Sequence, residues 1–168
     1  MTAVRNWLVG CALALGVLSS VAEAEPPDGY PFVSYDAGLA QARQDGRPVF
    51  LYLGRYGCGW CDKTNREAFS DRKLHTVYVR HYVLVYVDTE SGRRLTLPSG
   101  ERITERELAA RLKVMATPMF AYLQPDGSEI FRVPGIQSAQ DFFLYDRFVS
   151  DGYYKKESIR DFLAREVH

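Results

Sequence analysis

The sequence predicts an α/β fold in which a central mixed β-sheet is flanked by helices. Two continuous apolar runs, "PVFLYL" at 48–53 and "HYVLVYVD" at 81–88, are typical of strands that are buried on both faces. A third segment, "MFAYLQPDGSEIFRV" at 119–133, surrounds Pro125-Asp126-Gly127 and is typical of a β-hairpin. Helical patterns lie between and beyond these strands. Such alternation favours a sheet covered by helices, and the final hairpin makes that sheet mixed.

The helices are predicted from the residues at their ends. Asp36 lies near an N-cap position, and Gly46 follows the last periodic residue of the same segment. Thr104 and Glu107 have the spacing of a capping box, in which each side chain bonds the backbone beside the other residue. The predicted helices span about 36–45, 58–79, 104–114, 139–148 and 157–167.

Two interruptions of this pattern are also predicted. The long segment 58–79 breaks near Ser70-Asp71, because Ser-Asp is a favourable start for a new helix. Residues 89–103 contain Gly and Pro and one short alternating piece. We expect an excursion there, with a small hairpin that turns at 98–100.

The N-terminus has the features of a secretory signal. Arg5 precedes an apolar run from Trp7 to Leu18, and Ala22-Glu23-Ala24 follows as a cleavage site. The run is too short to span a bilayer, which takes about 20 apolar residues. We therefore expect 1–24 to be a cleaved signal peptide and 25–168 to be one domain. A competing interpretation is that Leu8-Val9-Gly10-Cys11 is a lipid-attachment box.

Composition excludes some classes of partner. Basic and acidic residues number 21 each in a chain of 168, so the formal net charge is zero, and no long block has one sign. This gives no reason to expect nucleic-acid binding or a polybasic membrane patch. Once Cys11 is removed with the signal, only Cys58 and Cys61 remain, and export places them in an oxidising compartment, which we expect to be the bacterial periplasm. A bond across so short a loop stabilises little, which argues against a purely structural staple.

The position of the cysteine pair indicates redox chemistry. Cys58 lies where a buried strand ends and a helix begins, so free N–H groups and the helix dipole favour its thiolate. Cys61, one turn further along, is expected to face Cys58, to be the more buried, and to resolve a mixed disulfide. Gly59 would let a partner chain approach. Trp60 would either shape the contact surface or simply pack.

A metal site is the alternative use of this spacing. A closed zinc site needs four ligands, and the chain has no second cysteine pair. None of the histidines, which are His75, His81 and His168, has ligand spacing to the pair. We therefore predict no metal.

Thr117-Pro118 is the second candidate feature, because it comes just before the strand "MFAYL". A proline at the first residue of a strand is compatible with a structural role alone. A cis bond would instead bend the chain and bring the Thr117 backbone close to the dithiol. Its N–H and C=O groups could then pair with an extended client chain.

Cys-Gly-Trp-Cys at 58–61, the preceding "VFLYL" and the later "ATPMFAYLQPDG" together resemble the thioredoxin fold over residues 32–167. The C-terminal half, "TLPSGERITERELAARLKVMATPMFAYLQPDGSEIFRVPG" and then "FFLYDRFVSDGYYKKESIRDFL", resembles the exported SoxW/SoxS-like proteins, some of which are associated with sulfur oxidation. The resemblance implies a disulfide reductase with Cys58 as nucleophile, Cys61 as resolver and Pro118 as the cis-proline. It also implies an insertion before the cis-Pro strand, an extra C-terminal helix and no cofactor beyond the redox-active disulfide.

The sequence departs from the common thioredoxin pattern at several positions. Gly57 stands where tryptophan usually precedes the first cysteine, and Gly-Trp replaces Gly-Pro between the cysteines. Tyr52 occupies the strand position that carries a buried aspartate in thioredoxins. Asp62 and Glu67 are near in sequence but are expected to face solvent, so no carboxylate base for the Cys61 proton is evident.

The direction of electron flow is predicted to be reduction of client-protein disulfides. Gly59 and Trp60 add no charge beside the sulfurs, which favours a moderate potential over a strong oxidant. A reductase in an oxidising compartment needs a membrane electron donor. An oxidase or isomerase is the alternative, but the chain has no separate dimerisation domain, and we expect a monomer. A redox-inert binding module and a metal chaperone are the alternatives from other classes.

The client is not identified by these residues. A sulfur-carrier protein follows from the resemblance, and apocytochrome c is the second candidate. The excursion 89–103 and a set of C-terminal aromatic residues could form a client surface, or could pack the extra helix against the sheet. These aromatic residues are Phe142, Phe143, Tyr145, Phe148, Tyr153 and Tyr154.

Overall fold

A computed structural model describes residues 26–166. The expected signal peptide 1–24, with Cys11, and His168 lie outside the described residues. The strands are β1 Val49–Gly54, β2 Val83–Asp88, β3 Arg94–Thr96, β4 Arg102–Thr104, β5 Met119–Leu123 and β6 Glu129–Pro134. The helices are α1 Tyr35–Asp45, α2 Gly59–Glu67, α3 Arg72–His81, α4 Glu105–Arg111, α5 Ala139–Ser150 and α6 Ile159–Glu166, with a short 3-10 helix at Tyr153–Lys155. Within this described part, none of the helices is long and apolar enough to cross a membrane.

Four strands form the central sheet in the order β2-β1-β5-β6. β1 runs parallel to β2 and antiparallel to β5, and β5 and β6 form the predicted hairpin. β3 and β4 form a separate two-stranded hairpin inside the predicted excursion. The sheet is therefore mixed, as the sequence predicts.

Alternate residues of β1 supply two cores on the two faces of the sheet. Phe50 and Tyr52 belong to an aromatic-rich cluster that contains residues of α2, α3, α5 and α6. Leu51 and Leu53 belong to an aliphatic cluster with residues of α1, α4 and the β3–β4 hairpin. Every residue of β1 is buried, which explains why the strand is a continuous apolar run. The helices on both faces hold the C-terminal end of β1 in a fixed place, and the cysteine pair follows that end.

The predicted break in the long segment 58–79 is confirmed. α2 ends at Glu67, and α3 starts after Asp71. An oxygen of the Asp71 side chain accepts hydrogen bonds from the backbone N–H of Lys73 at 2.7 Å and of Leu74 at 3.0 Å. Asp71 is thus the N-cap of α3, as such residues commonly are.

Some predicted ends are wrong by a few residues. The strand predicted from residue 81 starts at Val83, because the chain is still helical at His81 and the Tyr82 N–H bonds back to Tyr78. The helix predicted to reach residue 114 ends at Arg111, and Lys113 has a positive φ of 55°, which no right-handed helix accommodates.

The remaining helices agree with their predicted signals. The capping box at Thr104 and Glu107 is present at the start of α4. α1 begins one residue earlier than predicted, with Ser34 as its N-cap, and Gly46 ends it in the left-handed conformation. α6 starts at Ile159, after the short 3-10 helix.

The C-terminal aromatic residues pack the helices against the sheet. Phe142, Tyr145 and Phe148 are buried in the aromatic-rich cluster. Phe143, Tyr153 and Tyr154 are partly buried and pack against the same cluster. In the excursion, Leu95 and Ile103 are buried in the aliphatic cluster on the other face. Of the two interpretations of these segments, packing is therefore the one that the contacts support.

Candidate active site

The cysteine pair lies at the junction of β1 and α2. β1 ends at Gly54, and the chain turns through Gly57, whose φ of 66° lies in the left-handed region that suits glycine. Cys58 is the N-cap of α2 and has an extended backbone. The sequence prediction that Cys58 stands at a helix N-terminus is confirmed.

Cys58 and Cys61 are joined by a disulfide, with their Cα atoms 5.2 Å apart. The backbone N–H of Cys61 donates to Cys58 Sγ over 3.1 Å. After reduction, a thiolate at Cys58 would accept this same hydrogen bond and lie at the positive end of the helix dipole. The geometry thus favours ionisation of Cys58 over Cys61.

The Thr117-Pro118 peptide bond is cis, as the sequence hypothesis requires. Thr117 lies next to the dithiol, and its hydroxyl donates to Cys58 Sγ over 3.3 Å. The sequence predicts a contribution only from the Thr117 backbone, so this side-chain donor is an addition. Pro118 itself is buried and starts the approach to β5.

The burial of the two cysteines differs from the sequence prediction. Cys58 is 3% exposed and Cys61 is 5% exposed, so the prediction that Cys61 is the more buried is wrong for the oxidised protein. Thr117 lies over Cys58, whereas Cys61 lines an open cavity. A client must therefore reach Cys58 beside Thr117.

Four large hydrophobic side chains are exposed in the described part of the chain, and all lie in segments that border the dithiol. Trp60, between the cysteines, is 62% exposed, which rules out simple packing. Met115, close to the cis-proline, is 90% exposed. Tyr56 precedes Cys58 by two residues, and Ile136 follows a loop whose Gly135 N–H donates to Pro118 O at 2.8 Å. We call Tyr56, Trp60, Met115 and Ile136 the apolar rim.

Gly59 is also at this surface. It is exposed, and a Cβ placed on it would meet no atom within 4 Å. Gly59 therefore leaves open space beside Trp60. Of the apolar rim, the sequence identified Trp60 alone, and Met115 and Ile136 are brought near the dithiol only by the fold.

A cavity of about 720 Å³ lies beside the second cysteine. Its lining includes Cys61 and Asp62, and the side chains around it carry both signs of charge. The full lining comprises Pro26, Pro27, Asp28, Arg55, Tyr56, Gly57, Cys61, Asp62, Asn65, Arg66, Phe69, Ser70 and Tyr86. The volume lies within the range of small-molecule pockets, and the polar groups make it suitable for water.

Tyr52 occupies the strand position where thioredoxins carry an aspartate, and it does not supply a base. Its hydroxyl donates to Asn65 Oδ1 over 3.1 Å. Burial raises the pKa of Tyr52, and nearby Tyr86 and Asp62 raise it further. Tyr52 is therefore a neutral hydrogen-bond donor at physiological pH.

The described histidines are engaged away from the cysteines. His75 contacts the carbonyl oxygen of Gly29 at 3.0 Å, and His81 contacts Asp146 at 2.8 Å. Within residues 26–166, no group of three or more His, Cys, Asp and Glu side chains is placed to hold a metal ion.

Comparisons with known proteins agree with this fold and site. Residues 35–150 match the family described as "Thioredoxin-like domain". The chain is 26% identical over 104 residues to "Disulfide bond reductase DsbH" of Chlamydia pneumoniae, and the match covers 60% of each protein. It therefore spans less than two thirds of that relative's length.

Two solved structures extend the comparison. A thioredoxin from Thermus thermophilus has 27% identity and a TM-score of 0.59, with 72% of this chain and 87% of that chain covered. A thioredoxin-fold protein from Helicobacter pylori has 20% identity and a TM-score of 0.61, with 73% and 80% covered. The similarity to the Helicobacter pylori protein shows the fold alone.

Proposed function

We propose that this chain, which belongs to the thioredoxin-like domain family, is a thiol-disulfide oxidoreductase that reduces client-protein disulfides through Cys58 and Cys61. One observation carries the proposal. Cys58 Sγ accepts hydrogen bonds from two donors, the Cys61 N–H and the Thr117 hydroxyl. Donors of this kind stabilise a thiolate, and the thiolate is the form of cysteine that attacks disulfides.

The reaction takes two exchange steps. In the reduced protein, the Cys58 thiolate attacks one sulfur of a client disulfide, forms a mixed disulfide and expels the other client sulfur as a thiolate. Cys61 then loses its proton and attacks Cys58 Sγ, which expels the second client thiolate. The client gains two electrons, and the protein is left with the Cys58–Cys61 disulfide seen in the structure.

The apolar rim supports a protein client over a free small molecule. Exposed large hydrophobic side chains that gather around one site commonly mark a binding surface. Thr117 lies against Cys58 Sγ, and the backbone beside its cis bond to Pro118 can pair with an extended chain. Gly59 leaves space for that chain to approach.

Reduction is the direction that we favour over oxidation. Gly59 and Trp60 place no charge between the cysteines, so they add nothing to the stabilisation of the thiolate by the two hydrogen-bond donors and the helix dipole. The name of the Chlamydia relative, a disulfide bond reductase, supports the same direction. Re-reduction then requires a membrane electron donor, which is the second partner of the proposal.

The proposal also includes a cellular location and a client protein. The run Trp7–Leu18 followed by Ala22-Glu23-Ala24 supports a cleaved signal and a periplasmic domain that starts at residue 25. The resemblance of the C-terminal half to SoxW/SoxS-like proteins supports a sulfur-carrier protein as client, and we propose that the enzyme acts as a monomer.

A reductase assay tests the activity. With dithiothreitol as electron source, the protein is expected to accelerate insulin reduction, and Cys58→Ser is expected to abolish the effect. Cys61→Ser should retain the first step and accumulate a mixed disulfide, which captures the client from a periplasmic extract. A redox-inert binding module would leave insulin reduction at the background rate in all three proteins. The absence of acceleration by the unmodified protein contradicts the proposal.

A further inference from the structure

Cys61 must lose a proton before it can attack the mixed disulfide. Only the thiolate is an effective nucleophile, and the hydrogen bonds from the Cys61 N–H and the Thr117 hydroxyl go to Cys58 Sγ and not to the Cys61 sulfur. Tyr52, on the strand below, holds its own proton in a hydrogen bond to Asn65. The proton of Cys61 therefore needs another acceptor.

The cavity beside Cys61 provides a route. Cys61 and Asp62 line the same space of about 720 Å³, which can hold many waters. Asn65, the partner of Tyr52, also lines it and offers water a further polar contact. A water molecule in the cavity can thus lie between a thiol at Cys61 and a carboxylate at Asp62.

The charge of Asp62 acts on residues at the ends of two neighbouring strands. Burial is the main cause of the raised pKa values of Tyr52 on β1 and Tyr86 on β2, and Asp62 raises both further. Tyr52 and Tyr86 are paired across the two strands. Asp62 is exposed to solvent and lines the same cavity as Tyr86 and Cys61.

We propose that Asp62 accepts, through a water molecule in this cavity, the proton that Cys61 releases when it attacks the mixed disulfide. The proposal rests on the proposed function and deepens its second step. As the Cys61 S–H bond breaks, the proton passes through water to the Asp62 carboxylate, while the sulfur forms its bond to Cys58 Sγ. The client sulfur leaves with the electron pair of its bond to Cys58 Sγ. Asp62 then returns its proton to solvent.

Other charged groups around the cavity suit this role less well. Arg55 and Arg66 are cations, and Arg55 forms an ion pair with Glu90 at 3.8 Å. Asp28 lines the cavity from the lead-in segment, whereas Asp62 adjoins Cys61 on α2. Tyr86 has a raised pKa, chiefly through burial, and does not ionise at neutral pH.

Glu67 is the other carboxylate that the sequence placed near the pair. It is exposed, does not line the cavity, and forms an ion pair with Lys63 at 3.9 Å. Asp62 and Glu67 thus lie on the same helix with the same charge, but only Asp62 shares a cavity with Cys61. Glu67→Gln is therefore a matched control for Asp62→Asn.

Stopped-flow reaction of the reduced protein with dithiodipyridine, an uncharged aromatic disulfide, separates the two steps. The first release of thiopyridone reports attack by Cys58, and the second reports attack by Cys61. We expect Asp62→Asn to leave the first phase nearly unchanged and to slow the second by about a hundredfold, the lower end of what a positioned acid or base contributes. Glu67→Gln should alter neither phase.

The pH dependence separates proton transfer from a structural effect. Without a base, the second phase should follow the thiolate fraction of Cys61 and rise about tenfold per pH unit below its pKa. The unmodified protein should show a shallower slope. A second phase in Asp62→Asn that is unchanged, or faster because a nearby negative charge is gone, overturns the inference. A missing first phase in the unmodified protein instead overturns the proposed function.

Discussion

The hydroxyl of Thr117 donates a hydrogen bond to Cys58 Sγ over 3.3 Å, although 59 residues separate the two in sequence. The cis-proline segment therefore does more than shape the surface for a client. It supplies a hydrogen-bond donor to the sulfur that also accepts a hydrogen bond from the first turn of α2. The fold brings both donors to one atom, and this arrangement is the physical basis of the proposed chemistry.

Thr117→Val tests the side-chain donor, because valine keeps the shape and removes the hydroxyl. We expect the pKa of the reduced Cys58 thiol to rise and its alkylation at mildly acidic pH to slow by about tenfold, since a hydrogen bond to a charged group contributes about 1.5–3 kcal/mol. Iodoacetamide labelling followed by mass spectrometry measures the rate. Thr76→Val is the control, because the Thr76 hydroxyl is exposed and bonds Arg72 O at 2.9 Å, away from the cysteines. Equal rates for Thr117→Val and the unmodified protein contradict the assigned role.

The apolar rim should matter for protein clients and not for small ones. We expect Trp60→Ala and Met115→Ser to lower the rate of insulin reduction several-fold while the reaction with dithiodipyridine is retained, because only a folded client covers the rim. Thermal stability should change little, since both side chains are exposed. Arg160→Ala, at an exposed position on α6, serves as the control. A parallel loss with both substrates points to damage at the dithiol instead of loss of docking.

The packing role of the C-terminal aromatics gives a stability prediction. Phe142 is fully buried and contacts the rings of Phe50, Phe120 and Tyr78. Phe142→Ala should lower the free energy of unfolding by about 3–5 kcal/mol. Phe143→Ala, at a partly buried neighbour, should lower it by much less and should leave insulin reduction intact. Urea unfolding measures both. A small loss in Phe142→Ala, or loss of reduction in Phe143→Ala, would contradict the packing assignment.

Buried tyrosines predict a loss of stability in alkali. Burial raises the pKa values of Tyr78, Tyr82 and Tyr122 well above the ordinary value near 10. The folded protein therefore keeps protons that the unfolded chain loses, so their contribution is intact below about pH 10 and declines as the pH rises further. The free energy of unfolding should fall by about 1.4 kcal/mol per pH unit for each such tyrosine. Urea unfolding of the oxidised protein across this range measures the slope, and a flat profile contradicts it.

Much of the fold follows from local sequence signals. The apolar runs of β1 and β2, the Pro-Asp-Gly turn and the Thr104–Glu107 capping box each depend on near neighbours, and each is present. The end of α3 was misplaced because the aromatic and β-branched residues from His81 onward are compatible with a strand. Tertiary packing decides where that helix gives way to β2.

The parts of the candidate site that lie close together in sequence could be predicted, whereas the parts that the fold brings together could not. Cys58 and Cys61 are recognisable in the sequence from their spacing and from the apolar strand that precedes them. The Thr117 hydroxyl bond, and the position of Ile136 next to the cis-proline segment, depend on contacts between segments far apart in the chain. The burial of Cys58 depends in part on a contact of the same kind, because the Thr117 hydroxyl lies against its sulfur.

The ionisation of Cys58 is the most direct test of the central claim. Alkylation of the reduced, native protein should be followed against pH, with peptide mapping to assign the modified sulfur. We expect a single rapid modification at Cys58 whose midpoint lies below about pH 7.5, the upper end of the range for cysteines at helix N-termini. A midpoint near the free-thiol value of about 8.5, or no reaction at Cys58 until the protein is unfolded, would show that this sulfur is neither ionised nor accessible and would contradict the account.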